Sequence, residues 1–484
     1  MKKKSIAKNY IYNLMYQLLT IFLPLITIPY LSRILGAEQI GIYGYTTSIV
    51  SYFILFGSLG VSMYGQREIA YFQDDKKKRS KVFWEIIILR FFSLTISLLL
   101  FGLFYASGEV YSLYYKILLI QLAANIFDIS WLFQGIEEFD KTVIRNLIVK
   151  LLCLCLIFIF VRDYNDLWIY FLIYAGSEFI GNLSIWFYLP KYLEKIKFST
   201  LTFKKHIKPI FSLFLPQIAV QIYTVLDKTM IGFLTNDMEQ VGYYEQAQKI
   251  VKATLLVLSA LQIVMNSRIA NAYAKNDKKE IGECLNKSLR FLWLLTIPMM
   301  FGLIAIAPKF VPWFYGNEFE PVVNIMIALA PILIIIGFNG ITGNQYLIQI
   351  GNHKIYTCSV VMGAIINLIL NIILIYYFDS VGACIASLIA EFSILVIQLF
   401  NCREQFNLKE IFKLSIKNWI SGIVMFIVLI LLVNKLEISI INTILEIFIG
   451  GIIYVICLFL LKDKFLRDLC NQIFFTMKNM LHIN

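Results

Sequence analysis

The chain of 484 residues draws 59% of its sequence from apolar and aromatic types and only 15% from charged ones, and its mean hydropathy is +0.74, against about 45–50% apolar and about 25% charged in soluble domains. A soluble fold is excluded. The 43 Lys and Arg exceed the 31 Asp and Glu by a net charge of +12, which on so apolar a chain points to loops facing an anionic membrane surface and away from nucleic acid.

A helix needs about 20 apolar residues to cross the hydrocarbon core. Fourteen such runs follow one another, near 12–34, 40–64, 82–106, 111–135, 142–162, 166–189, 210–234, 241–266, 290–308, 321–349, 356–377, 381–401, 415–434 and 440–461. The first follows Met-Lys-Lys-Lys, is too long for a signal h-region and has no small-residue cleavage site, so a retained anchor with a cytoplasmic N-terminus is expected. An even count returns the C-terminus to the same side. That topology places 33 of the 43 cations in inner segments, Lys141 and Arg145 among them, and only Arg33, Arg162, Lys309 and Lys435 outside, as the positive-inside rule demands. Beyond Lys462, Phe465, Leu469, Ile473 and Met477 recur at three-to-four spacing among polar residues, the pattern of an amphipathic helix lying on the inner leaflet.

The chain repeats itself. Glu38-Gln39-Ile40-Gly41-Ile42-Tyr43 returns as Glu239-Gln240-Val241-Gly242-Tyr243-Tyr244, and at the same offset of 201 Arg67 answers to Arg268, a pair of inner-end, gating candidates. Glu178-Phe179 and Glu391-Phe392 echo each other at an offset of 213. Six helices is an even number, so the two halves are expected as parallel repeats related by an axis along the membrane normal, around a central pathway. The expected organisation is an N-lobe at 1–189, a basic cytoplasmic linker at 190–209, a C-lobe at 210–401, two extra helices at 402–461 and an amphipathic tail at 462–484.

Six cations fall inside the spans, where a charge tends to face a wet cavity or a partner. Arg90, Lys150 and Asp128 lie at one inner depth of the first half, while Asp227-Lys228 and the Glu245, Lys249, Lys252 series share an outer height in the second. Arg90 pairing with Asp128 and Glu245 with Lys249 would serve merely to hold helices together. Each set nonetheless leaves a surplus positive charge, and a surplus calls for an anion. Lys116, near an outer end, reads as snorkelling to the interface. Gln17, Gln217 and Gln221 are candidates to hydrogen-bond a polar passenger or to bridge helices. Asp128, Asp227, Glu178 and Glu391 are candidates for a coupling H⁺ or Na⁺. The eight Cys and three His show no metal-ligand spacing, so neither a disulfide nor a metal centre is expected and no cofactor is implied.

Asn9-Tyr10 leading to Pro29-Tyr30-Leu31-Ser32-Arg33-Ile34-Leu35-Gly36, then the Glu38–Tyr43 motif, Phe127-Asp128-Ile129-Ser130-Trp131-Leu132-Phe133-Gln134-Gly135, Leu226-Asp227-Lys228, Val241-Gly242-Tyr243-Tyr244 and Tyr315-Gly316-Asn317-Glu318-Phe319 resemble the polysaccharide flippases of bacterial surface-glycan assembly. Those belong to the multidrug/oligosaccharidyl-lipid/polysaccharide exporter superfamily. The resemblance implies an all-α integral membrane protein of about fourteen helices in two six-helix lobes, located in the bacterial inner membrane. It also implies a polyprenyl-diphosphate-linked oligosaccharide passed to the outer leaflet for O-antigen, capsule or exopolysaccharide synthesis, alongside other glycan-assembly proteins. The basic residues fit that passenger, because an isolated ion in hydrocarbon pays tens of kcal/mol by Born estimates. A multidrug or cation exporter of the same superfamily is the alternative and should favour carboxylates. A membrane glycan polymerase or ligase is a third reading, for which the outer connection at 308–320 carries no catalytic pair, so no enzyme is expected.

Overall fold

The computed structural model describes residues 6–108, 110–406 and 408–480, with side chains described except at 6–22, 473–480 and scattered positions within 212–223, 257–264 and 408–410. The described residues form helices and no strand. Helix α1 (Ile6–Ser58) would measure about 80 Å if straight, far more than one crossing of a core about 30 Å thick. It breaks at Gly36 (φ 73°, ψ 174°), between the first and second expected spans, where only a residue without a Cβ accepts that backbone. Helix α2 (Val61–Tyr71) completes the second span. Helix α3 (Lys76–Phe101) starts at Asp75, whose carboxylate accepts from the Lys78 amide at 3.0 Å. That bond, with the Lys78 ammonium at 3.2 Å, holds the Asp75 carboxyl below its ordinary range. Helices α4 (Ser112–Ile126) and α5 (Ser130–Gly135) stand at the fourth expected crossing, α6 (Phe139–Phe160) at the fifth and α7 (Leu167–Ser184) at the sixth, followed by the short α8 (Leu189–Tyr192).

Then come α9 (Lys204–Thr235), α10 (Met238–Ala274) and α11 (Lys278–Phe314). Helices α12 (Val322–Leu329) and α13 (Ile332–Asn339) meet at a bend of 40° and run on into a π-helical stretch, Gly340–Leu347. Helix α14 (His353–Asn401) follows the plan of α1, with its break at Asp379 (φ 47°, ψ −131°). Helices α15 (Leu408–Val433), α16 (Ile440–Leu460) and α17 (Lys464–Met480) close the chain. Among the described residues eight helices are long and apolar enough to cross a membrane, or nine with the bent α12–α13 pair as one. Two of the eight, Leu23–Tyr71 and His353–Asn401, have 49 residues each and contain the breaks at Gly36 and Asp379. Helices α7, α9 and α10 stand where the sixth to eighth crossings are expected, and α9 and α10 include positions whose side chains lie outside the described residues. The chain is a multi-pass, all-α membrane protein.

Two compact units make up the chain, Met1–Gly242 and Tyr243–Asn484. In the first, α1 packs on α3, α6 and α9, and Phe83 stacks on Trp131 at 5.4 Å within a core that includes Ile69, Phe133 and Tyr192. In the second, α15 and α16 pack on α11. Gly422 admits Ile297 and Phe301 there, and Gly450 admits Leu429. The two helices beyond the repeat are therefore fastened to the ninth crossing, where Lys309 Nζ also donates to the Leu436 carbonyl at 2.7 Å.

The basic segment expected as a linker is pinned to the first unit. Arg79 donates to the Tyr192 carbonyl at 2.6 Å, and the Ser80 hydroxyl accepts from the Glu194 amide at 2.8 Å. Glu85, fully buried, accepts from the Thr202 amide at 2.7 Å, the Lys205 ammonium at 2.8 Å and His206 Nε2 at 2.9 Å. The other ring nitrogen of His206 bonds the Tyr64 hydroxyl at 2.7 Å. Glu85→Ala leaves these donors without their acceptor. Breaking a buried pair from one side costs about 3–5 kcal/mol, so the purified variant should melt markedly earlier than the native protein, whereas Lys77→Ala, on the exposed first turn of the same helix, should melt with it.

Candidate functional site

Charge inside the first unit is answered from within it. Arg90, on α3, is 1% exposed. Its Nε donates to the Asn125 carbonyl at 3.2 Å, Nη1 to the Ser62 hydroxyl at 2.9 Å and Nη2 to Asp128 at 3.4 Å. Asp128 in turn accepts from the Ser130 amide at 3.0 Å and from its hydroxyl at 2.5 Å. Arg145 continues the chain of contacts, with Nη2 on Ser130 at 3.0 Å and Nη1 on Asn182 at 2.6 Å. The structure thus brings Arg90 and Asp128 together and joins to them Arg145 and Asn182, for which the sequence carries no local signal. Arg145, counted there with the inner loop, lies within α6 and is half-buried. Lys150 stands about one and a half turns further along the same helix, half-buried.

The two copies of the motif that begins at Glu38 and at Glu239 show a different device. A Cβ on Gly41 would overlap the Met238 carbonyl, and a Cβ on Gly242 would overlap the carbonyl of Ala37. Ala37 and Met238, like Gly41 and Gly242, are 201 positions apart, so the two copies of the motif cross backbone to backbone in a reciprocal contact. Just inside, Tyr45 lies against Gly232, and Thr229 meets the hydroxyls of Ser48 at 2.7 Å and Tyr52 at 3.1 Å. Asp227 is 3% exposed and its neighbour Lys228 half-buried.

In the second unit, α10 displays its cations. Lys249 pairs with Glu245 at 3.2 Å while a third of its side chain stays exposed. Lys252, also exposed, donates to Gln248 at 2.9 Å. Ser48 and Ser51 occupy the matching repeat positions. The carboxylate echo is sharper than its sequence signal. The Asn125 amide donates to Glu178 at 3.4 Å in the first unit, and the Asn339 amide donates to Glu391 at 2.5 Å in the second. The asparagines lie 214 apart and the glutamates 213, so each unit carries one such pair. Gln221, Arg67 and Arg268 are exposed, Arg67 lying 3.6 Å from Glu68. The side chains of Gln17 and Gln217 lie outside the described residues. Among the described residues no group of His, Cys, Asp or Glu is arranged to hold a metal ion.

Removing one partner of a buried pair strands the other charge, whereas removing both does not. Arg90→Ala should therefore lower thermal stability more than Arg90→Ala combined with Asp128→Ala, and a double-mutant cycle on purified protein measures the coupling.

Comparison with known proteins places the chain. A family model described as polysaccharide biosynthesis protein matches residues 6–265, and the MatE model matches residues 213–373. A protein of Escherichia coli (strain K12) named "Putative O-antigen transporter" is 24% identical over 394 residues, covering 80% of this chain and 94% of that one. The lipid II flippase MurJ of Bacillus subtilis (strain 168) is 25% identical over 206 residues, 39% of this chain and 37% of that one. Among solved structures, lipid II flippase MurJ in an inward closed conformation superposes with a TM-score of 0.72 at 20% identity, covering 96% of this chain and all of that one. An inward-facing multidrug resistance transporter of the MATE family gives 0.65 at 12% identity over 83% of this chain. These relatives are named as transporters and flippases, and the superpositions show that the chain shares the fold of those solved structures. With a model matched over more than half of its length, the chain belongs to the polysaccharide biosynthesis protein family.

Proposed function

We propose that this protein flips a polyprenyl-diphosphate-linked oligosaccharide from the inner to the outer leaflet of a bacterial plasma membrane, by alternating access of two six-helix lobes within a fourteen-span chain whose termini are cytoplasmic. Family membership and the transporter and flippase names of its relatives support the class of activity. The observation that carries the passenger's chemistry is on α10, where Lys249 and Lys252 remain open to solvent in a helix read as membrane-spanning. An exposed ammonium at that depth requires water or an anion, and a diphosphate is an anion that needs such a route.

On this reading the labour is divided among the basic residues. Lys249 and Lys252, with Lys228, hold the diphosphate toward the outer side, and Lys150 meets it from the inner side, with Gln17, Gln217 and Gln221 left to the sugars. Arg90 is spent on Asp128 and acts as a positioning residue for α3 and α4. A coupling H⁺ or Na⁺ falls to Glu178 or Glu391, each held by an asparagine amide, ahead of Asp128, whose charge Arg90 takes up, and of Asp227. Arg67 and Arg268 mark the inner gate, and the Gly41–Gly242 crossing closes the outer one. The MatE match over 213–373 sustains a second reading, export of a drug or cation by the same fold. It is separated from the first by the cargo that accumulates when the gene is deleted, which should be lipid-linked glycan confined to the inner leaflet.

Lys249→Ala combined with Lys252→Ala should abolish surface-glycan export in a deletion strain while the protein remains in the membrane at native level, and full complementation would refute the assignment. Gly41→Ala should force the two backbones apart. Cysteines placed at Ala37 and Met238 should then crosslink several-fold less than in the glycine background, and unchanged crosslinking would count against the crossing as the outer gate.

A further inference from the structure

We infer that the basic end of the first unit holds a binding pocket for the phosphodiester headgroup of an anionic membrane lipid, separate from the transport route and independent of which glycan is carried. A cavity of about 420 Å³ opens there between the end of α2, the first turns of α3 and the first turn of α9. Its rim is basic, formed by Lys78, Lys81 and Lys205, and its apolar floor includes Phe72 and Val82. The volume falls in the range of small-molecule sites, about 300–1,000 Å³. The apolar run of α3 begins at Val82, so the rim stands where the helix leaves the hydrocarbon, at the depth of lipid phosphates.

The wall is built in advance of any ligand. Glu85, at 0% exposure, anchors Lys205 and His206 from behind, and the Tyr64 hydroxyl fixes the far side of the imidazole. An ammonium carries three donors. Lys205 directs one to Glu85 at 2.8 Å and Lys78 one to Asp75 at 3.2 Å, while Lys81 lies 3.9 Å from Glu85. The three side chains remain 48%, 67% and 36% exposed, respectively. Among the charges that line the pocket and their ion-pair partners, Lys78, Lys81, Lys205 and Arg67 oppose Asp75, Glu68 and Glu85. One positive charge is left over. A phosphodiester brings one negative charge, accepts the remaining ammonium donors, and leaves its glycerol and acyl portion to the Phe72 and Val82 floor.

The test uses full-length protein purified in a non-ionic detergent, titrated with dihexanoyl phosphatidylglycerol, dihexanoyl phosphatidylcholine or inorganic phosphate while the melting temperature is followed. Phosphatidylglycerol should raise it by several degrees, and Lys78→Gln combined with Lys81→Gln, which spares the Lys205–Glu85–His206 anchor, should remove at least half of that rise. Lys278→Gln combined with Lys279→Gln, on the first turn of α11, should keep the full rise and so exclude a general effect of surface charge. Single Lys78→Gln serves if the double variant does not fold, with a smaller loss expected. Equal rises in the native protein and the pocket variants overturn the proposal, as does an equal rise with phosphatidylcholine. A rise reproduced in full by inorganic phosphate also overturns the lipid assignment, since the occupant would then be a soluble phosphate.

Discussion

A charged side chain within hydrocarbon has to be met by an opposite charge, by hydrogen-bonding dipoles or by water, because solvation in a low-dielectric medium is lost at a cost of several kcal/mol. The architecture follows from the three ways in which this chain satisfies that condition. Arg90 is met by a carboxylate, a carbonyl and a hydroxyl and disappears into the first unit. Glu85 is met by an amide, an ammonium and an imidazole, and in being met ties the segment around Thr202 to α3. Lys249 pairs with Glu245 and Lys252 donates to Gln248 along one helix, with part of each side chain exposed. The first two solutions tie helices and segments together, while the third is made within a single helix.

Much of the scaffold was legible in the sequence because hydropathy and charge act over a single helix length. The break at Gly36 falls between the runs read at 12–34 and 40–64, and Asp379 divides those at 356–377 and 381–401. Matched depth foretold the meeting of Arg90 with Asp128 and i, i+4 spacing that of Glu245 with Lys249. The interior of the site was harder to read. Arg145 looked like a loop cation because Lys141 stands one turn before it, yet Asn182, 37 positions away, draws it inward. Glu85 and His206 are separated by 121 positions, and no local pattern announces that a carboxylate three residues into an apolar run has its acceptor capacity filled. The amides opposite Glu178 and Glu391 were likewise invisible singly, although their near-equal offsets of 214 and 213 would have been a signal had polar residues been compared in pairs.

The two units answer one fold with different chemistry. Each has an asparagine amide on a glutamate, Asn125 on Glu178 and Asn339 on Glu391, at near-equal offsets in the chain. Where the second unit has Glu245, Lys249 and Lys252, the first has Gly44, Ser48 and Ser51, and Ser48 is engaged with Thr229. The cationic face is therefore a difference between the two copies of a shared plan.

The crossing of Gly41 and Gly242 joins two distant stretches of the chain in one steric condition. The Met238 carbonyl stands over Gly41 and the Ala37 carbonyl over Gly242, the pattern of a twofold interface in which every contact is made by a position and its own copy. One methyl added to either glycine would strike the main chain of the other copy, so neither position can gain a side chain unless the two backbones separate.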